Sequence, residues 1–69
     1  MRVIDIDNGS AVEVAQDEAR RLRRWVQDGN LSDVSGVPLA WEDVLDCEGD
    51  VCVDEAGFAQ VLEVLEGTA

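Results

Sequence analysis

Short β-branched runs open the chain. Arg2-Val3-Ile4-Asp5-Ile6 and Ala11-Val12-Glu13-Val14 flank Asp7-Asn8-Gly9-Ser10, whose Asn-Gly pair offers the positive φ angles of a tight turn, so a β-hairpin is expected. From Gln16 to Asp28 the apolar period lengthens to that of a helix, with Ala19, Leu22, Trp25 and Val26 on one face. Asp17 and Glu18 suit the start of that helix, and Gly29 follows its last turn. Residues 30–37, rich in Ser, Asp and Gly, read as a connecting loop. Pro38 sits well at the first position of a short helix, Pro38 to Leu45, with Trp41, Val44 and Leu45 facing inward. Asp46 to Asp50 is turn-like and Val51-Cys52-Val53 reads as a strand. Asp54 is a good N-cap for a last helix running to about Glu66, whose apolar face is Phe58, Val61, Leu62 and Leu65.

The order β-β-α-α-β-α predicts a small α+β domain: a short three-stranded, antiparallel-type sheet, made of the hairpin plus one strand, packed with about three helices on one side. A mostly helical bundle is the competing reading, with residues 11–15 extending the first long helix. Sixty-nine residues leave room for one domain spanning 1–69, and a hydrophobic fraction of 46% argues that it folds despite its charge. No segment resembles a membrane span or a secretory leader, so a soluble protein of the bacterial cytoplasm is expected.

Charge changes the picture most. Sixteen acids against five arginines, with no lysine and no histidine, give a net charge of −11. Residues 1–27 hold five acids and all five bases and balance to zero. Residues 28–69 hold the other eleven acids and no base. Between Glu42 and Glu55 half of the fourteen positions are carboxylates. Such a density costs stability through mutual repulsion unless an external charge offsets it. It also repels nucleic acid and anionic lipid, so neither nucleic acid nor membrane is an expected direct partner, and attracts basic protein surfaces.

The candidate chemistry narrows accordingly. Without histidine there is no common general base and no Ser-His or Cys-His nucleophile, so no enzyme is expected. Cys47 and Cys52 lack a second ligand pair for a closed zinc site, and neighbouring carboxylates would raise a thiol pKa, so the bland reading is two reduced, unreactive thiols. Asp46 to Glu55 partly matches an EF-hand calcium loop, but the first ligand position falls on Val44, which has no side-chain oxygen. No cofactor or metal is therefore expected. Arg20, Arg21, Arg23 and Arg24 form an exposed basic stripe that reads as a solvated face, within reach of Asp17 at helical spacing.

An array of carboxylates can satisfy the Lys and Arg groups with which proteins grip DNA phosphates. The expected function is that of an acidic inhibitor that mimics DNA phosphate charge and occupies a basic nucleic-acid-binding surface. Asp28, Asp33, Glu42, Asp43, Asp46, Glu48, Asp50, Asp54 and Glu55 are the candidate partner-binding residues, with 43–50 as the centre. In size, charge and the partition of that charge, the chain resembles the small acidic inhibitors of phages and mobile elements, including anti-CRISPR proteins of the DNA-mimic type. The resemblance carries no motif. It implies a host defence complex as target, a subunit of a type I Cascade-like CRISPR effector for instance. The alternative is a small acidic adaptor or antitoxin-like module that binds a basic protein unrelated to DNA.

Overall fold

The structure is a computed structural model and describes residues 1–67. In chain order it contains β1 (Arg2–Asp5), β2 (Ala11–Glu13), α1 (Gln16–Gln27), α2 (Trp41–Val44), β3 (Val51–Val53) and α3 (Glu55–Glu66). The element order matches the sequence expectation. The sheet does not: its order is β2-β1-β3, with β1 antiparallel to β2 and parallel to β3. A parallel pair needs a long crossover, and the stretch from α1 through α2 supplies it, returning the chain to the end of the sheet where β1 began.

Register follows burial. Val3 lies opposite Val12 on one side and Val51 on the other. On this face Val3, Val51 and Val53 are buried with Leu22 and Val26 of α1, Trp41 and Val44 of α2, and Val61 of α3. The other face carries Ile4 and Cys52, half-buried, and exposed Ala11. Gly57 lets α3 approach the sheet: a Cβ there would stand 3.1 Å from the Val53 Cβ.

Local details correct the sequence reading in four places. In the β1–β2 turn only Gly9 takes a positive φ, +75°. Asn8 stays at negative φ and donates its side-chain amide to Asp5 instead. Pro38 does not open a helix. It bridges Ser32, and the Leu39 N–H donates to the Leu31 carbonyl at 2.8 Å, so the backbone is committed to that pairing and α2 begins only at Trp41. Leu45, expected to face inward, is 37% exposed, because its backbone pairs with Val51 along the outer edge of β3. The 30–37 segment, expected to be a plain loop, contributes Leu31 to the core with no exposed surface at all.

Candidate functional site

Four of the eleven carboxylates in residues 28–69 are occupied with backbone close to them in the chain. Asp33 accepts from the N–H groups of Ser35 (2.8 Å) and Val37 (3.0 Å), closing the loop between Leu31 and Leu39. Asp43 accepts from the Ala40 N–H at 3.0 Å and so caps α2 from within its first turn. Asp46 accepts from the N–H groups of Glu48 and Asp50, both at 2.9 Å, holding the turn that leads into β3. Asp54 accepts from the Gly57 N–H at 2.7 Å, the N-cap that the sequence indicates for α3. These are the bonds that Asp makes best, because its short side chain reaches backbone donors two to four residues away along the chain.

Electrostatics agree with that geometry. The Asp46 carboxyl is held below the usual range, chiefly by the backbone N–H of Asp50 and also by that of Glu48. Its second oxygen faces the Cys52 sulfur at 3.5 Å. The Cys52 thiol is pushed up, first by burial, then by the hydrogen bond and charge of Asp46 and the charges of Asp50 and Glu48. A raised thiol is a poor nucleophile, so this half-buried sulfur is not poised to react. Both cysteines are free.

Asp50 is the one candidate neutralised from within. It accepts from the Arg2 N–H at 3.1 Å and pairs with the Arg2 guanidinium at 3.3 Å, the only ion pair between side chains among the described residues. Asp28, Glu42, Glu48 and Glu55 make no side-chain hydrogen bond or ion pair among the described residues, so their carboxylates face outward without internal work.

The nine candidates do not form one contiguous array. β3 separates Asp46, Glu48 and Asp50 from Asp54 and Glu55; from Asp50 to Asp54 is four steps along the chain, about 13 Å at strand rise. Glu42 lines a shallow groove with Val26 and Gln27, which places it beside the end of α1 where Asp28 forms the C-cap. At the far end of β3, Asp54 and Glu55 line a second groove with Asp7, Val34, Ala56 and Ala59. The candidate acids thus occupy three places: the ends of α1 and α2, the turn before β3, and the far end of β3.

Two acids of the first, balanced stretch belong to this picture and were missed in the sequence. Asp7 accepts from the Glu55 N–H at 2.9 Å, so the hairpin turn helps to cap α3. Asp5 is 3% exposed and accepts from the N–H groups of Asp7 and Asn8 and from the Asn8 side chain. Those bonds, the one from the Asn8 side chain foremost, hold its carboxyl below the usual range against the opposing effect of burial. The signal was the spacing Asp5-x-Asp7-Asn8-Gly9, an Asp two and three residues ahead of turn donors.

No group of three or more metal-ligating side chains gathers among the described residues. No helix there is long and apolar enough to cross a membrane. No protein-family model matches the chain, and no curated protein and no solved structure is significantly similar to it.

Proposed function

We propose that the acidic surface mimics the phosphate charge of DNA and occupies the basic nucleic-acid-binding surface of a partner protein, in the manner of an inhibitor. One observation carries this reading: among the described residues a single side-chain ion pair, Arg2 with Asp50, offsets the acids from within. The carboxylates of Asp33, Asp43, Asp46 and Asp54 are also aimed by backbone donors, so little side-chain ordering remains to be done when an arginine arrives. A CRISPR effector that grips target DNA, such as a type I Cascade-like complex, is the class of partner this surface would suit.

The test uses acids that do no internal work. Glu42→Gln, Glu48→Gln and Glu55→Gln together remove three outward charges, one from each patch, and leave every backbone cap in place. Changing 43–50 to alanine would instead dismantle the cap of α2 and the turn before β3. The tagged protein is used to capture partners from bacterial lysate at low salt, followed by elution with duplex DNA or with sodium chloride. The proposal expects a nucleic-acid-binding complex that duplex DNA releases and that the triple variant captures at least tenfold less well. A partner that stays bound in saturating duplex DNA would replace this reading with the adaptor.

A further inference from the structure

Four of the five cations of the chain lie within five residues of α1. Arg20, Arg21, Arg23 and Arg24 are all exposed, and none forms an ion pair among the described residues although the chain holds 16 acids. At about 3.6 residues per turn, Gln16, Arg20, Arg23 and Gln27 fall in a line along the helix, with Arg24 beside it. That line contains no acid and lies about a third of a turn from the face on which Leu22 and Val26 are buried against the core. The helix also carries like-charged neighbours at three- and four-residue spacing, Arg20 with Arg23 and Arg24, and Arg21 with Arg24, which oppose its formation. Asp17, three and four residues before Arg20 and Arg21, and Asp28, four after Arg24, offset them only in part, with no ion pair formed among the described residues.

We infer that this strip is a second binding surface, for the phosphate backbone of a nucleic acid duplex. Guanidinium forks match phosphate oxygens in pairs, and the glutamine amides at either end add neutral donors that also bond phosphates. From Gln16 to Gln27 the strip spans about 16 Å, and one strand of a duplex offers a phosphate every 3.4 Å or so of axis, so the strip is long enough to reach several of them. The acids of a second copy, divided among three patches, match a straight row less well. The strip holds no aromatic side chain on which an unpaired base could stack, which favours a duplex over a single strand. The net charge of −11 opposes a duplex, and of its excess in residues 28–69 Asp28 and Glu42 stand beside the end of α1; acids farther off are screened over about 8 Å at physiological ionic strength. The inference does not depend on the acidic surface having a partner.

Fluorescence anisotropy of a labelled 16-base-pair duplex, titrated with the full chain between 50 and 200 mM salt, tests it. Three phosphate contacts give a slope of log affinity against log salt of about −2.7, and Arg20→Gln with Arg23→Gln reduces it to about −0.9 with at least a tenfold loss of affinity. Glu48→Gln leaves the slope unchanged. Amide shifts of the unmodified protein, followed on adding the duplex, cluster at residues 16–27. Absence of duplex binding, shifts elsewhere, or binding untouched by the double variant would overturn the inference. Self-association, or octaglutamate binding, through the same arginines without duplex binding would do so too. Repeating the lysate capture with the double variant separates the two surfaces, because release by DNA through the acidic patches does not require the arginines.

Discussion

Truncating Leu31 distinguishes a decorative loop from a core element. Its side chain has no exposed surface, and its carbonyl accepts from the Leu39 N–H, so the 31–39 segment is pinned at both the packing and the backbone level. Leu31→Ala removes three carbons, about 2.4 kcal/mol of transfer free energy at roughly 0.8 per carbon. The cavity left among Leu22, Val26 and Trp41 raises the loss to about 3 kcal/mol. A domain of this length has a total stability on the order of 3–10 kcal/mol, so the change removes a large share of it. Leu31→Val, lacking one methylene, costs about 0.8 kcal/mol and provides a graded second point. Urea unfolding followed by the fluorescence of Trp25 and Trp41, both packed against the core, reads the effect directly. With a denaturant slope of about 1 kcal/mol per molar, the midpoint falls by about 3 M for alanine and about 0.8 M for valine. Val34→Ala, in the same segment but 82% exposed, changes stability by less than about 0.5 kcal/mol. If Leu31→Ala cost no more than Val34→Ala, the assignment of this segment to the core would be refuted.

Three further outcomes follow from the same geometry. Gly57→Ala gains about 1 kcal/mol of helix propensity but sets a methyl 3.1 Å from the Val53 Cβ, which its strand holds in place, so a net loss of about 1 kcal/mol is expected in urea unfolding; a gain would show that α3 can move. Asp5 and Asp46 have folded pKa values below their unfolded ones, so the stability they contribute is present above the ordinary carboxylate range and is lost as pH falls through the folded values. Asp46→Asn should therefore weaken the fold at pH 6 and flatten the loss of stability between pH 5 and 2; an unchanged acid limb would exclude Asp46 from it. The last turn of α3 holds Glu63 and Glu66 and no base, so exposed Glu66→Lys should stabilise by about 0.5 kcal/mol, a rise in Tm of about 3 °C, diminishing in high salt.

Much of the architecture was legible along the chain. The hairpin, α1 and α3 follow from local periodicity, turn residues and caps, which neighbouring residues alone decide. Trp41 and Val44 were placed in the core correctly for the same reason. The partition of charge, balanced before residue 28 and wholly acidic after it, is a property of sequence order and needs no structure.

What the sequence could not decide depends on contacts between distant residues. Val51-Cys52-Val53 has the same alternation whichever way it runs, and only the path through α1 and α2 makes it parallel to β1. Leu31 stands in a polar stretch whose composition says loop, and its burial arises because Leu39 folds back on it. The acids differ from one another for a shorter-range reason. In sequence Asp46 and Glu48 are equivalent negative charges; in the fold one carboxylate binds two backbone N–H groups while the other faces outward, because only Asp46 has donors within reach of its side chain. Charge is additive and can be counted from composition, whereas the direction in which a carboxylate points is fixed by the local turn of the backbone: Asp46 closes onto donors two and four residues on where the chain doubles back to pair Leu45 with Val51.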